Sequence, residues 1–328
     1  MPPNPNSQIP NPNIKRVIGV DEAGYGPNLG PLVVAATVWE LPAGLDGNGL
    51  WSAFAGIVSD RPCRAGRTIH IADSKQVHSS SAGIGPLERS ALAILELAGQ
   101  RRDSFGALWD ELHDGNERNA SREPWFRDGN GSVPSSIDFG SLDGLVIQWK
   151  ERCQAQRCRL VRSEADLVIA ERFNRSVART GTKGRVLSET TLQLIRRVWD
   201  PTDDTPTLIQ CDKHGGRDRY AELLADAFPE IMPIAIEETR TCSRYRVGRA
   251  EFQFRARSED RLPVAAASII AKYLRELSMD LFNAFWLEEI PDLKPTRGYP
   301  VDARRFLEAI AGRADELEME RDWYWRWR

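Results

Sequence analysis

Two carboxylates, Asp21 and Glu22, stand side by side after the apolar run Val17-Ile18-Gly19-Val20 and just before the turn Ala23-Gly24-Tyr25-Gly26-Pro27. Val and Ile bounded by Gly and Pro read as a buried strand. Ionised carboxylates are costly away from water unless paired or metal-bound, so packing alone does not account for the pair. The two glycines permit a tight turn and close approach of another molecule to the backbone. Together these features suit a divalent metal and a phosphate-bearing ligand; the plainer alternative is a solvated Asp-Glu pair opening a β-turn. A third carboxylate, Asp212, follows Leu208-Ile209-Gln210-Cys211 and precedes Lys213-His214-Gly215-Gly216. It reads either as a strand-end metal ligand or as an Asx-turn or N-cap residue. His214 is either a proton carrier or a surface or hydrogen-bonded histidine. Acids at the ends of separate strands can be aimed at one point. Two-metal phosphodiester chemistry needs three or four of them around ions about 3.5–4 Å apart. Hard oxygen donors suit Mg2+ or Mn2+.

The elements that must position these groups follow from periodicity. Residues Ile14 to Val20 and Leu32 to Trp39 read as two strands joined by the Gly-Pro turn. Thr68 to Ala72 is a short β-like run ending at Asp73-Ser74-Lys75, and Pro86 to Leu97 has helical spacing. Leu145 to Trp149 has the character of a strand, and Glu164 to Arg179 and Ser188 to Trp199 of helices. A strand over Thr207 to Cys211, an amphipathic segment over Arg217 to Phe228 and strands at Ile231 to Ile236 and Glu251 to Arg255 follow. The longest helical signal runs from about Val264 to Trp286, with Ile270, Leu274, Leu277 and Leu281 as its stripe. Alternating strands and helices with an antiparallel opening predict an α/β fold, a mixed sheet with helices on its faces.

The chain has 328 residues, 41% of them hydrophobic, and a net charge of −3. A sizeable core is possible, and a nucleic-acid enzyme of this charge must cluster its cations locally. Five cysteines without a C-x-x-C pattern argue against a zinc finger and for thiols in a reducing compartment. No apolar run reaches the length of a membrane span. Residues 1–13 are Pro/Asn-rich and lack a signal-peptide core, so they read as a disordered lead-in to a cytoplasmic protein. The main domain is expected over 14–310. Within it, about 100–162 is polar and reads as an insertion with little regular structure or as a small accessory subdomain. Residues 311–328 form a tail rich in Trp and Arg, which either grips nucleic acid or docks its aromatics with its arginines in solvent.

The opening motif, continued by Asn28-Leu29-Gly30-Pro31 and a second apolar strand, resembles that of the type 2 ribonucleases H, ribonuclease HII and its relatives. The segment Pro263-Val264-Ala265-Ala266-Ala267-Ser268-Ile269-Ile270-Ala271-Lys272 resembles that family's Ala-Ala-Ser-Ile-x-Ala-Lys helix. Asp73-Ser74-Lys75 and Gly298-Tyr299-Pro300 are similar to two shorter family segments. The departure is Tyr25, where Arg is usual. The resemblance covers 14–39, 73–75 and about 207–300 and implies an RNase H-like fold and hydrolysis of the RNA strand of RNA/DNA hybrids to 3′-hydroxyl and 5′-phosphate ends. It implies Asp21, Glu22, Asp212 and Glu259 as catalytic metal ligands for Mg2+ or Mn2+, with Asp260 as the alternate fourth acid. Ser74 and Lys75 would hold a backbone phosphate. Gly24, Tyr25, Gly26 and Tyr299 would meet the ribose 2′-hydroxyl, which distinguishes RNA from DNA. Lys183, Lys272 and His214 are further candidates for phosphate or leaving-group contacts. The expected partner is a hybrid or a ribonucleotide-containing DNA duplex. A different nucleic-acid substrate on the same fold, or a non-catalytic hybrid-binding module, are the alternatives.

Overall fold

The run that carries Asp21 forms β1 (Ile14–Ala23), paired antiparallel with β2 (Leu32–Pro42). The computed structural model describes residues 14–62, 66–78, 83–113, 123–127 and 131–327, so the expected lead-in 1–13 lies outside the described residues. Along the chain follow the short parallel pair β3 (Val58–Ser59) and β4 (Ile69–His70), then β5 (Arg159–Val168) and β6 (Thr207–Asp212). Last come β7 (Ile234–Glu238), β8 (Cys242–Val247) and β9 (Ala250–Arg255). The main sheet has seven strands in the order β5-β2-β1-β6-β9-β8-β7. β1, β6 and β9 are parallel neighbours, and the outer pairings are antiparallel. This is the mixed α/β sheet with helices on its faces that is expected from the sequence.

Side chains on successive residues of a strand point to opposite faces, so a sheet covered on both sides carries apolar residues without interruption. Val17 joins one apolar cluster, whereas Ile18 and Val20 join the other. The first face is covered by the Gly85–Leu97, Gly140–Ala155 and Leu262–Glu289 helices. The second is covered by Ala170–Thr180, Lys183–Val198 and Ala221–Ala227.

The Leu262–Glu289 helix approaches the sheet at backbone distance. A Cβ on Gly19 would fall 2.2 Å from the Pro263 carbonyl carbon, so only glycine fits the crossing. Thr37 Oγ1 donates to the Pro263 carbonyl at 2.8 Å. Val264 and Ala265 to Ala267 are fully buried there, because small side chains let the helix sit close to the strands.

Four expectations are corrected. Leu145 to Trp149 lies inside the Gly140–Ala155 helix, whose buried residues Leu142, Val146, Trp149 and Cys153 are spaced four, three and four apart. A short apolar run alone does not separate strand from helix. The expected helix from Glu164 begins only at Ala170, because pairing with β2 extends β5 to Val168. β8 was not anticipated: its arginines mask an alternation that buries Ser243, Tyr245 and Val247. Within 100–162 the described residues are not an irregular surface. Phe105–Leu112 is a helix, and Phe105, Trp109, Trp125, Phe126 and Trp149 enter the main core. Fully buried Glu88 secures this region by accepting the backbone N–H groups of Ser135, Ser136 and Ile137 and the Tyr273 hydroxyl.

Candidate active site

Parallel pairing brings the acids together. Val20 of β1 pairs with Cys211 of β6, so Asp21 and Asp212 leave adjacent parallel strands at the same level. Asp212 in turn pairs with Arg255, the last residue of β9. The 3-10 turn Ser258–Asp260 follows directly and carries Glu259. Three carboxyl ends thus deliver one cluster, at the edge where open α/β sheets bind ligands.

The cluster's electrostatics are those of like charges held close. Burial, then Glu22, hold the Asp21 carboxyl well above the usual carboxylate range, and Glu259 and Asp212 add to the effect. Glu22 is pushed up to about 7 by burial and then by Asp212, against the pull of Lys75. Asp212 is raised by burial, opposed by the backbone N–H groups of Ser258, Lys213 and Arg257. Glu259 is raised by burial and by Asp212 and Asp73, with Lys75 opposing. Lys75 is therefore the cation shared by Glu22, Asp212 and Glu259.

Local structure fixes these groups. The Glu22 N–H donates to Asp21 Oδ1 at 2.8 Å, and the Ser258 N–H to Asp212 Oδ1 at 3.2 Å. Ser258 Oγ ties the turn back to the Cys211 carbonyl at 3.0 Å. Asp73 caps the short Ser74–Val77 helix by accepting the Lys75 N–H at 2.9 Å. This cap buries Ser74 and leaves Lys75 exposed. A cavity of about 1090 Å³ opens beside the cluster, lined by Trp51, Asp73, Lys75, Asp212, Arg257 and Glu259 among others.

Asp260 differs from Glu259. Its carboxylate is half exposed and forked on Arg255 Nη1 at 3.0 and 2.8 Å. His214 is buried, bonded through Nδ1 to Ser188 Oγ at 2.9 Å, and packed edge-on against Tyr220 and Phe254. Burial, then Arg217, push it down to about 3, which favours the neutral ring. Lys272 is drawn into an ion pair with buried Glu276, which also meets Arg297 at 3.0 Å. Lys183 lies over the Tyr25 ring, 4.7 Å from its centroid, which places a cation beside the glycine turn.

The glycine turn has two unlike glycines. Gly24 sits at φ +84°, and a Cβ there would fall 2.5 Å from the Pro31 carbonyl and 2.6 Å from Arg275 Nε. Its identity is required by the fold. A Cβ on exposed Gly26 would meet nothing within 4 Å, so that glycine leaves open space in front of the turn. Tyr299 is 54% exposed, with Arg275 6.0 Å from its ring centroid. The Gly298 carbonyl before it accepts the Asn28 N–H at 2.8 Å, which ties Tyr299 to the turn.

The four acids supply hard oxygen donors, the kind that holds Mg2+ or Mn2+. Among the described residues, no three acidic, histidine or cysteine side chains are drawn tightly enough together to make a ready metal cage. Sequence reasoning missed Arg326, which is fully buried behind the turn. Its only sequence signal is the aromatic-flanked Trp325-Arg326-Trp327, in a tail that reads either as gripping nucleic acid or as docking its aromatics with its arginines in solvent.

No protein-family model matches the chain, and no curated protein matches it. Among solved structures it is similar to ribonuclease H2 from Pyrococcus horikoshii OT3, at 17% identity and a TM-score of 0.43, over 94% of this chain and 92% of that one. It is also similar to the RNase HII of the PCNA:RNase HII complex from Archaeoglobus fulgidus, at 16% identity and a TM-score of 0.40, over 95% of this chain and 94% of that one. A third is Bst-RNase HIII in complex with Mn2+, at 16% identity and a TM-score of 0.40, over 95% of this chain and 66% of that one. These structural neighbours are all type 2 ribonucleases H, HII or HIII.

Proposed function

We propose that the chain is a divalent-metal-dependent endoribonuclease that hydrolyses the RNA strand of RNA/DNA hybrids, or of ribonucleotide-containing DNA duplexes, to 3′-hydroxyl and 5′-phosphate ends. The observation that carries this reading is the convergence of Asp21, Glu22, Asp212 and Glu259 from the ends of β1, β6 and β9, with Asp212 and Glu259 each raising the proton affinity of both Asp21 and Glu22. Mutual repulsion of this kind is relieved by bound cations, and clefts that combine it with burial are functional-site candidates.

Asp21, Glu22, Asp212 and Glu259 would hold the metal. When bound, Mg2+ or Mn2+ would activate water and stabilise the leaving oxygen. Ser268 lowers the proton affinity of Asp21 and so favours its charged, metal-binding form. Lys75, exposed beside the acids, would bind the phosphate that the carboxylates otherwise repel. Open space at Gly26 would let a sugar reach the backbone of the Gly24-Tyr25-Gly26 turn, while Tyr299 offers a ring and a hydroxyl. The 2′-hydroxyl both donates and accepts, so backbone groups are sufficient to recognise it.

The test is cleavage of an end-labelled hybrid with Mg2+, with Mn2+ and with chelator, alongside all-DNA, all-RNA and single-ribonucleotide duplexes. Metal-dependent cuts confined to ribonucleotide-containing duplexes, with 3′-hydroxyl ends, are expected. Binding without cutting under every metal condition would favour a hybrid-binding module instead.

A further inference from the structure

We propose that Arg326 is a positioning residue for the glycine turn, brought there by a docked 325–327 segment and fixing the Gly24–Tyr25 peptide that the substrate's ribose would meet. The inference rests on the nuclease reading of this site. Trp325 makes an antiparallel bridge with Leu29. The Arg326 N–H donates to the Asn28 carbonyl at 2.8 Å, and Asn28 Nδ2 returns a bond to the Arg326 carbonyl at 3.1 Å. Asn174 anchors the segment on both sides of Arg326. Its Nδ2 donates to the Trp325 carbonyl at 2.8 Å, and its Oδ1 accepts the Trp327 N–H at 2.8 Å.

Docking delivers a guanidinium to a site with almost no solvent access, 1% exposed, over the Phe173 ring. Arg326 Nη2 donates to two carbonyls of the turn, those of Gly24 and Pro27, both at 2.5 Å. Nε and Nη1 have no hydrogen-bond partner among the described residues. A buried guanidinium left partly unsatisfied is unfavourable for stability alone. Glu123 offsets part of its charge, and the backbone geometry of the turn gives it a place to act.

A trans peptide carries its N–H opposite its C=O. With the Pro27 carbonyl turned to Arg326, the Asn28 N–H points the other way and meets the Gly298 carbonyl at 2.8 Å. By the same rule, the Gly24 carbonyl's bond to Arg326 turns the Tyr25 N–H away from the protein's buried side. That N–H has no acceptor among the described residues. Arg275 Nε stands 2.6 Å from where a Cβ on Gly24 would lie, and its Nη2 donates to the Arg297 carbonyl at 2.9 Å. Both arginines thus reach the turn, and Arg326 hydrogen-bonds the peptide whose donor is left over.

The test compares wild type, Arg326→Met and Arg326→Lys in the full chain. It reads kcat and KM on a single-ribonucleotide duplex and amide exchange over residues 24–28. Met keeps the stem and removes the donors; Lys keeps a donor but not the fork. We expect Arg326→Met to lower kcat by tenfold or more with KM changed less than threefold, and to speed exchange at 24–28. Arg326→Lys should recover part of both. A folded Met variant with wild-type kcat and exchange, or a Lys variant no better than Met, would overturn the proposal. If Arg326→Met fails to fold, Asn174→Ala loosens the segment while keeping Arg326, and the same two outcomes decide. Absence of cleavage by wild type would sink the nuclease reading alone, since exchange at the turn still judges the role of Arg326.

Discussion

Ser268 and Ser74 meet beneath the acidic cluster, with their Oγ atoms 3.2 Å apart. Ser268 also lowers the proton affinity of Asp21, so one buried hydroxyl acts on the end of β1, the short Asp73-capped helix and the long helix. Three sequence segments far apart in the chain thereby meet around one side chain. Ser268→Ala should release Asp21, raise its proton affinity further and lower kcat by roughly 3- to 30-fold, given a net hydrogen-bond worth of about 0.5–1.5 kcal/mol, or more where the acceptor is charged. An unchanged pH–rate profile and rate would remove Ser268 from the site.

Asp21→Asn should abolish cleavage while hybrid binding survives. Loss of a shared ligand costs on the order of 10³-fold in rate or more. Because burial penalises the Asp21 charge, the variant should melt no lower than wild type in chelator near neutral pH. Near-normal turnover at saturating Mg2+ would reject the site.

Glu259→Gln should be far more damaging than Asp260→Asn. Glu259 shares the field of Asp212, whereas Asp260 is spent on Arg255. The expected gap in kcat is tenfold or more, and the reverse order would move the fourth ligand to Asp260.

Tyr299→Ala should depress cleavage of a single-ribonucleotide duplex more than that of a long hybrid, which offers many registers. A nucleotide stack is worth about 1–3 kcal/mol, or roughly 5- to 150-fold. Tyr299→Phe should fall between. Equal, small losses on both substrates would leave Tyr299 a turn residue.

Glu123 gives a pH signature away from the acids. It is buried, accepts the Ala170 N–H at 3.0 Å and the Trp125 indole at 3.0 Å, and burial pushes it up to about 8. Its folded value lies above the unfolded one, so between about 4.5 and about 8 the native state holds the extra proton. Stability therefore falls as pH rises through that window. Glu123→Gln keeps the acceptor without the charge. It should melt a few degrees above wild type at pH 8, and the difference should shrink toward pH 5. A pH-independent difference would contradict this account.

Much of the site was legible because its chemistry sits in local patterns. Asp21-Glu22 follow a β-branched run, Asp212 ends another, and the Ala-rich start of the long helix announces its close approach to Gly19. What was illegible depended on partners distant in sequence. β5 looked helical from Glu164 because only β2 makes it a strand. The stretch around Trp109 and Trp125 reads as an insertion because it is polar, yet the two are 1% and 7% exposed. Arg326 could not be placed from composition, since the carbonyls it serves belong to residues 24 and 27.

The pairing of Asn28 with Arg326 spans 298 positions. The 325–327 segment docks on a turn and a helix that the rest of the fold places, so its contacts form late. The sheet, both apolar clusters and the convergence of the acids can all assemble without it. A refolding chain would thus gather its carboxylates first and acquire a set glycine turn only afterwards. Recovery of native fluorescence should then run ahead of recovery of activity, with the interval marking the docking of residues 325–327.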